Sequence, residues 1–498
     1  MIYDIQIKTD QRTLVDIEDF ELNPGKLTLL LGESGIGKTL ISRAIFGLLP
    51  DAEMSITINK RSYAEYLASD ECHEIQSRGF FVFQEPSSHL NPLMTLSEQL
   101  NEGVIEDASS NRKILKDLFP ALSESDLYHL LGIYPKPYRP SGGEKQRILI
   151  AMAFKKMALL RGSDAVFIFD EPTGNLDNVY RNIFLRMLIA AYKSVPLTTL
   201  LITHDYSMIS ELLATPSGDM KQIEFKELRI SDNHQKQVAF STESYLNWLK
   251  SLNPASPSIQ SSREPVLMLQ PEIEVFNRKL IISSDIKGRD VSPLEIFAGD
   301  AVYLKAASGV GKTTVAKIIM GLQPAERFSM ILDNRTHDES TPGSVWRRNI
   351  WAKRMSMVFQ HADEALNLNG KVKDIFRGLP LSQRSDPDFL KRTLATVFDR
   401  HIAATFLEMP VAFLSGGQKQ RLNLIRALIL EPDILILDEP FNGLDFNTMQ
   451  RILNLLQELQ KKGKSFLIIS HNEEIIDRFV SSERIYYLHR QTDIKGET

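Results

Sequence analysis

The sequence predicts an α/β protein of two similar halves, each a mainly parallel β-sheet flanked by helices. One observation is that apolar runs of strand length alternate with helix-length segments, as where LTLLL is followed by TLISRAIFGLL. A second is that a whole series of short motifs occurs twice in the same order, which indicates a tandem duplication. Because such sheets bind ligands at the carboxyl ends of their strands, motifs that follow apolar runs hold the candidate functional residues.

Length and composition agree with this prediction. A chain of 498 residues is too long for one compact core, and its net charge of -5 gives no electrostatic reason to expect nucleic acid. The single cysteine, Cys72, excludes a disulfide framework, a zinc ribbon or an iron–sulfur cluster built within one chain. No apolar run approaches the roughly 18 residues of a membrane span, and MIYDIQIKTD does not resemble a secretory signal. We therefore expect a soluble or peripheral protein.

The first motif is a glycine-rich loop between a strand and a helix. Gly32, Gly37, Lys38 and Thr39 match G-x-x-x-x-G-K-[ST], the phosphate-binding loop. Glycines let backbone N–H groups close on phosphate oxygens, and the helix N-terminus adds partial positive charge. Lys38 would reach the outer phosphates, and the Thr39 hydroxyl would bind Mg²⁺. The structural alternative, a turn with a chance lysine, is disfavoured by the strand before it and the helix after it.

Five motifs make up the repeat. A second glycine-rich loop carries Lys312, which lies 274 residues after Lys38, and in both halves the serine of an SGG segment follows the loop lysine by 103 residues. The other paired segments are FFVFQEP and MVFQHAD, PSGGEKQR and LSGGQKQR, AVFIFDEPTGNLD and ILILDEPFNGLD, and TLLITHD and FLIISHN. Chance does not account for five motifs in one order, twice.

On these motifs the chain resembles two fused nucleotide-binding domains of the ABC ATPase family, over nearly all of its length. The resemblance implies a P-loop NTPase fold in each half, with an antiparallel β layer and a helical subdomain at 87–139 and 362–413. We predict domains at 1–231 and 265–498, joined by a polar, turn-rich linker at 232–264. The linker contains the helix-like ESYLNWLKSL, whose Trp248 and Leu249 could instead dock on the first domain.

Acidic residues and a histidine follow apolar strands in both halves. A carboxylate that ends such a strand faces the phosphate loop and can hold Mg²⁺, and the glutamate after it is placed to polarise the attacking water. An N-cap or a loop salt bridge is the structural alternative, but it explains a repeated D-E-P poorly. A lone histidine is usually structural, yet its recurrence favours the γ-phosphate contact that the resemblance implies. The predicted catalytic residues are Glu171, Glu439, His204 and His471.

Nucleotide and metal ligands are predicted from the two loops, the glutamines after apolar strands and the SGG segments. The SGG segments open helices and offer a further N-terminal anion site, and the glutamines resemble the family's loop glutamine, which senses Mg²⁺ and the attacking water. The predicted nucleotide-binding residues are Gly32, Glu33, Ser34, Gly35, Gly37, Lys38, Thr39, Gln84, Ser141, Gly142, Gly143, Ala306, Ser308, Gly309, Gly311, Lys312, Thr313, Thr314, Gln360, Ser415, Gly416 and Gly417. The predicted magnesium ligands are Thr39, Gln84, Asp170, Thr313, Gln360 and Asp438.

The resemblance also implies that the two halves close head to tail, so that each SGG segment caps the ATP held by the other half. Alanine replaces the first glycine of the second loop, at Ala306. If that position needs a glycine-only backbone angle, alanine there would cost about 1 kcal/mol, and we expect both sites to hydrolyse ATP with the second site weaker. No aromatic residue occurs at 9–12 or 281–285, where the family stacks adenine. Tyr3 and Phe276 lie further back, so base recognition is unassigned.

The segment FQEPSSHLNPLMTLSEQL, together with GESGIGKT and SGGEKQRILIAMA, resembles the ATPase subunits of peptide and nickel importers. That resemblance implies separate transmembrane permease subunits, an extracytoplasmic solute-binding protein and a peripheral location on the cytoplasmic face of the inner membrane. The second half keeps ALNLNGKVKDI, with Leu368 where proline is expected, and the chain lacks the cysteine-bearing C-terminal extension of that group. The solute, a peptide, nickel or a related small solute, is therefore not specified further.

A soluble tandem ATPase acting on ribosomes or DNA is the alternative class. Its relatives carry longer charged linkers, zinc modules or coiled coils, whereas here the linker is short, cysteine pairs are absent and the 103-residue spacing leaves no space for a coiled coil. Sugar importers with fused ATPases are a nearer alternative within transport. The sequence favours transport without direct contact to nucleic acid.

Overall fold

The computed structural model describes residues 1–10, 12–50, 54–102, 108–136, 139–160, 165–174, 176, 178–194, 196–214, 222–231, 234–253, 264–307, 309–379, 387–398 and 406–494. The chain divides into two compact units, Met1–Ser244 and Tyr245–Thr498. The division lies inside the stretch 232–264, and part of that stretch is regular structure, a strand at His234–Ala239 and a helix at Thr242–Ser251.

The first unit contains ten described strands and nine described helices that precede the division. The strands are β1 (Ile2–Lys8), β2 (Thr13–Glu21), β3 (Leu27–Leu31), β4 (Ser55–Ile58), β5 (Arg61–Ser62), β6 (Phe80–Val82), β7 (Val166–Asp170), β8 (Thr198–Ile202), β9 (Ile223–Ser231) and β10 (His234–Ala239). The helices are α1 (Lys38–Ile45), α2 (Tyr63–Leu67), α3 (Asp70–Arg78), α4 (Leu96–Asn101), α5 (Ala108–Leu118), α6 (Glu124–Leu131), α7 (Gly142–Leu159), α8 (Asn178–Ser194) and α9 (Ser207–Ala214).

All ten strands of the first unit form one sheet, in the order β5-β4-β1-β2-β10-β9-β3-β8-β7-β6. The predicted strand LTLLL is β3, which is buried along its whole length and pairs in parallel with both β8 and β9. Strands β1, β2 and β4 pair antiparallel, and the β9–β10 hairpin joins them to the parallel part through a pairing of Gln235 with Ile17. The predicted mainly parallel core with an antiparallel layer is confirmed, but here the two share one continuous sheet.

The second unit repeats this architecture with a different sheet division. Its strands are β11 (Leu267–Leu269), β12 (Glu272–Val275), β13 (Arg278–Ser283), β14 (Leu294–Ile296), β15 (Ala301–Lys305), β16 (Ser329–Leu332), β17 (Arg335–Asp338), β18 (Met355–Val358), β19 (Ile434–Asp438), β20 (Ser465–Ile469) and β21 (Ile485–Arg490). After α10 (Thr242–Ser251), its helices are α11 (Lys312–Ile319), α12 (Gly343–Val345), α13 (Pro387–Leu394), α14 (Gly416–Leu428), α15 (Phe446–Lys461), α16 (Glu473–Phe479) and α17 (Gln491–Ile494).

A four-stranded antiparallel sheet, β14-β11-β16-β17, and a seven-stranded sheet, β12-β13-β21-β15-β20-β19-β18, form the second unit. Strands β21, β15, β20, β19 and β18 run parallel, so the carboxyl ends of β15, β19 and β20 meet at one edge. Apolar side chains from both sheets and from α11 pack into one buried core, which fixes this edge relative to the loop before α11.

The described part of 87–139 holds α4, α5 and α6, and that of 362–413 holds α13 and three short 3₁₀ turns, at Ala362–Glu364, Val372–Phe376 and Val411–Phe413. Helix α10, the predicted ESYLNWLKSL helix, has described ring contacts in the second unit. The rings of Tyr245 and Trp248 lie 5.5 and 5.0 Å from that of Phe446 on α15, and Leu249 is buried. In the part of the chain described, none of the helices has both the length and the apolar character needed to cross a membrane.

Candidate functional site

The loop between β3 and α1 wraps around a buried lysine. Its glycines have positive φ angles, 141° at Gly32 and 110° at Gly37. The Lys38 ammonium donates to the carbonyl oxygens of Gly32, at 2.6 Å, and Glu33, at 2.9 Å. Burial lowers the pKa of Lys38, and nearby carboxylates, first that of Glu171, oppose this shift. The loop therefore presents a positive charge among backbone groups at the start of a helix, which suits an anion.

The second loop, between β15 and α11, follows a different backbone path at its first position. Gly309 and Gly311 have positive φ angles of 76° and 126°, but Ala306 does not have a positive φ. The Lys312 ammonium donates to the Ala306 carbonyl at 2.6 Å. The free-energy cost expected for alanine at a glycine-only backbone angle therefore does not apply to Ala306, because its φ is one that any residue adopts. Ser308 lies outside the described residues.

Two buried aspartates end strands beside these loops, Asp170 on β7 and Asp438 on β19. The Thr39 hydroxyl donates to Oδ1 of Asp170 at 3.0 Å. Among the described residues, Oδ2 of Asp170 and both carboxylate oxygens of Asp438 are buried and accept no hydrogen bond. Burial raises the pKa of each aspartate to about 6. Buried carboxylate oxygens without donors fit a hard cation such as Mg²⁺, which takes oxygen ligands.

The glutamate after each aspartate has a left-handed backbone, with φ of 45° at Glu171 and 48° at Glu439. The N–H of Glu171 donates to the carbonyl oxygen of Ile202 at 3.0 Å, and the N–H of Glu439 donates to that of Ile469 at 2.8 Å. Each of these acceptors is the last residue of the neighbouring strand. A non-glycine residue in this conformation costs of order 1–3 kcal/mol, and the adjacent strand holds it there. Both glutamates therefore lie one residue past the carboxyl ends of β7 and β19.

In the first unit three predicted residues converge. Gln84 Nε2 donates to Oε2 of Glu171 at 2.6 Å, and Nδ1 of His204 lies 3.2 Å from Oε1 of the same carboxylate. Burial works against a charged His204, but the Glu171 carboxylate outweighs it, so the pKa of His204 is raised. Burial also works against a charged Glu171, but His204 lowers the pKa of that carboxyl below its usual value. The pair is therefore favoured as imidazolium and carboxylate.

The second unit arranges the same residue types differently. Oε2 of Glu439 accepts from the backbone N–H of His471 at 3.0 Å, while the His471 ring lies 3.4 Å from Oε1. Gln360 accepts from the Thr313 hydroxyl at 3.3 Å. Burial raises the pKa of Glu439 well above its usual value, and the adjacent Asp438 carboxylate adds to this. The two glutamates therefore differ in the proton affinity that their surroundings give them.

The SGG segments start helices, as predicted. Ser141 is the N-cap of α7 and Ser415 the N-cap of α14, and in each case the serine side chain accepts from the N–H three residues on. The side chain of Glu144, or of Gln418, bonds back to the N–H of the serine, which completes a capping box. The two glycines that follow each serine lie in the first helical turn, where backbone N–H groups have no intrahelical partner.

Two turns after the loop glutamines are alike in the two units. The N–H of Leu93 donates to Oδ1 of Asn91 at 3.0 Å, and the N–H of Asn369 donates to Oδ1 of Asn367 at 3.1 Å. The turn therefore forms with Leu368 in place of proline. Leu93 is 83% exposed, so the first unit presents an apolar tip at this turn.

Sequence reasoning left the base-stacking residue unassigned and overlooked contacts made by the helices after SGG. Tyr3 is fully buried and has no face free for stacking, whereas Phe276 is exposed at the turn between β12 and β13. Gln146 and Gln420 each donate to the carbonyl immediately before a loop glutamine. The signal that could have revealed them is the K-Q-R that follows SGG in both halves.

Comparison with known proteins gives a consistent result. The family described as ABC transporter matches residues 15–174 and 290–442. The peptidoglycan transport ATP-binding protein YejF of Agrobacterium fabrum is 28% identical, covering 93% of this chain and 85% of the relative. The glutathione import ATP-binding protein GsiA of Escherichia coli is 25% identical, covering 98% and 84%.

Among solved structures, similarity extends to the archaeal ribosome recycling factor aABCE1, in complex with the ribosomal stalk protein aP1. The TM-score is 0.60 at 16% identity, covering 97% of this chain and 89% of that chain. The RNase-L inhibitor aligns with a TM-score of 0.58, also at 16% identity, covering 97% and 89%. At this identity the likeness concerns the fold alone.

Proposed function

The chain belongs to the ABC transporter family and is an ATPase, and we propose that it energises an importer of a peptide, nickel or a related small solute. The observation that carries the catalytic part is the convergence of Gln84 and His204 on Glu171, next to a buried loop lysine. The importer part is supported by relatives that match over nearly the whole chain and are named for transport or import.

ATP would bind with its phosphates in the two glycine-rich loops, where Lys38 and Lys312 supply positive charge. Thr39, Asp170 and Gln84 would hold Mg²⁺ in the first half, and Thr313, Asp438 and Gln360 in the second. This is supported by the buried aspartate oxygens that accept no hydrogen bond among the described residues. Those residues contain no group of three or more His, Cys, Asp or Glu side chains able to hold a metal, so phosphate oxygens would complete the shell. When bound, Mg²⁺ would neutralise charge that develops on the phosphate oxygens.

Glu171 would accept a proton from the attacking water, and Glu439 would do the same in the second half. The ionised state that His204 favours in Glu171 suits a general base. Gln84 would orient the water or the carboxylate, and His204 and His471 would contact the γ-phosphate. Because Glu171 and His204 hold each other in place, the base is positioned before substrate arrives.

Each site would be completed by the other half. In this proposal Ser415 and its two glycines cap the ATP at Lys38, and Ser141 and its glycines cap the ATP at Lys312. Both serines cap helices and leave first-turn N–H groups for an anion, which supports the proposal. Fusion in one chain raises the effective concentration of one half for the other.

Closure and reopening of the halves would drive separate permease subunits at the cytoplasmic face of the inner membrane, with an extracytoplasmic binding protein delivering the solute. The exposed Leu93 turn, nine residues after Gln84, suits contact with a permease because an exposed apolar tip gains from burial.

Pull-down of the chain from detergent-solubilised membranes of its source tests the transport role. We expect integral membrane proteins to co-purify with wild type and with Ile2→Asp, a matched exposed position, and to be reduced with Leu93→Asp. Co-sedimentation with ribosomes and no membrane protein in the pull-down would instead favour the ribosome-acting class.

A further inference from the structure

The K-Q-R that follows SGG makes the same three kinds of contact in both units. Lys145, Gln146 and Arg147 lie in the first turns of α7, and Lys419–Arg421 occupy the same positions in α14. In each triplet the glutamine contacts the residue directly before the loop glutamine, the lysine contacts the segment after it, and the arginine contacts the helical part of the unit.

The glutamine of each triplet holds the backbone of the glutamine loop. Gln146 is fully buried, and its Nε2 donates to the Phe83 carbonyl at 3.2 Å, directly before Gln84. Gln420 donates to the Phe359 carbonyl at 3.3 Å, directly before Gln360, and to the carbonyl of the catalytic candidate Glu439 at 3.3 Å. The Phe359 carbonyl also accepts from the Asn423 amide at 2.8 Å. In both units the helix that SGG starts therefore holds the backbone directly before the loop glutamine.

The lysine of each triplet holds the same loop three residues after its glutamine. Lys145 donates to Oγ of Ser87 at 3.1 Å and to the Lys136 carbonyl at 2.6 Å. Lys419 forms an ion pair with Asp363, with Nζ 3.0 Å from Oδ1. Each glutamine loop is therefore held on both sides of its glutamine by the helix that SGG starts.

The arginine of each triplet ties the same helix to the helical part. The Arg147 guanidinium lies 4.3 Å from the Phe119 ring and donates to the Leu118 carbonyl at 3.1 Å. The guanidinium of Arg421 lies 4.6 Å from the Phe398 ring. Cation–π stacking of a planar guanidinium holds an orientation as well as a distance, so helix, helical part and glutamine loop are joined in both units.

We propose that Lys145, Gln146, Lys419 and Gln420 are positioning residues, here called the glutamine-loop clamp, which set Gln84 and Gln360 for hydrolysis. The inference rests on the proposed composite sites in one respect. Each SGG serine would contact the ATP held by the other half, and the clamp would transmit this contact to the loop glutamine of its own half. That glutamine serves the ATP held by its own half. Removing a clamp contact then lowers kcat and leaves the KM for ATP, which the phosphate loop sets, nearly unchanged.

Gln146→Leu in the full chain tests the first unit. In a Glu439→Gln background, where the first site carries the remaining turnover, we expect kcat to fall about 10- to 100-fold, as for misplacement of a group by about 1 Å, with KM for ATP changed less than about threefold. The matched control is Gln76→Leu, whose amide donates to the Phe46 and Gly47 carbonyls at the end of α1 and does not touch the glutamine loop. A kcat per folded chain equal to that of the control would overturn the proposal.

A charge swap tests the second unit without removing a buried group. Lys419→Asp should lower kcat, and Asp363→Lys combined with Lys419→Asp should restore it, because Asp363 is half exposed and tolerates either sign. A double variant as slow as the single would overturn the clamp even if Gln146→Leu failed to fold. If the wild-type chain hydrolysed no ATP, the ATPase assignment itself would be wrong. That result differs from failure of the clamp proposal, because wild type and all variants would then be equally inactive.

Discussion

Replacing Gly32 by alanine tests how the first phosphate loop is built. Gly32 has a φ of 141°, and an ideal Cβ there would lie 2.7 Å from the carbonyl oxygen of Leu228. Leu228 belongs to β9, which is hydrogen-bonded to strands on both sides and cannot easily move. The structure therefore predicts a substantial loss of stability for one added methyl group.

The magnitude follows from two terms. Holding alanine in this backbone region costs of order 1–3 kcal/mol, and overpacking against a fixed backbone atom costs typically about 1–3 kcal/mol. Together they give a loss of roughly 2–6 kcal/mol in the free energy of unfolding of the first unit. For a domain of 150–250 residues each kcal/mol lowers Tm by roughly 2–4 °C, so the melting temperature should fall by at least about 4 °C.

The reverse change in the second loop is the matched control. Ala306 has no positive φ, so Ala306→Gly adds only backbone entropy, worth about 0.5–1 kcal/mol. Melting is followed by far-UV circular dichroism for the whole chain and by fluorescence of the three tryptophans, at 248, 346 and 351, all in the second unit. If the Gly32→Ala variant melted at the same temperature as the Ala306→Gly variant, the reasoning about both loops would be refuted.

Three further predictions concern the two glutamates proposed as catalytic bases, a histidine and helix α10. Glu171→Gln should lower ATP turnover more than Glu439→Gln, because burial raises the pKa of Glu439 whereas that of Glu171 is lowered; equal losses would remove the asymmetry. Because the pKa of His204 is raised, its contribution to stability is complete below pH about 6.5 and is lost as pH rises through the raised value. The difference in unfolding free energy between wild type and His204→Gln, from urea titrations, should therefore shrink as pH rises, and a constant difference would contradict the pairing. Trp248→Ala should destabilise the second unit by about 0.5–1.5 kcal/mol or more, whereas the exposed Asn247→Ala should change its urea midpoint little.

The fold was largely predictable because its signals are local. The apolar run LTLLL is a strand with the predicted bounds, and ESYLNWLKSL is a helix. Pairing of β10 with β2 was not predictable, since it joins Gln235 to Ile17 across more than two hundred residues and has no local signal. The surface against which α10 packs was not predictable either, because the composition of its aromatic residues suits more than one surface.

Candidate site residues could be chosen by motif, but the contacts that their side chains make could not be predicted. Gln84 and Gln360 occupy equivalent positions, yet one donates to a glutamate and the other accepts from a threonine. Such differences depend on side-chain packing around each loop, which a motif does not encode. Ala306 illustrates a related point, because the cost of alanine there depends on a backbone angle that the motif does not give.

The most direct test of the central claim, that each half completes the other's nucleotide site, counts the ATP retained per chain after rapid gel filtration. In a Glu171→Gln and Glu439→Gln background, Lys38→Ala with Ser415→Arg places both lesions in one composite site. We expect this variant to retain about half the ATP of the background, whereas Lys38→Ala with Ser141→Arg, which damages both sites, should retain almost none. The opposite ranking, with the Ser141 variant retaining ATP and the Ser415 variant losing it, would show that each half works alone.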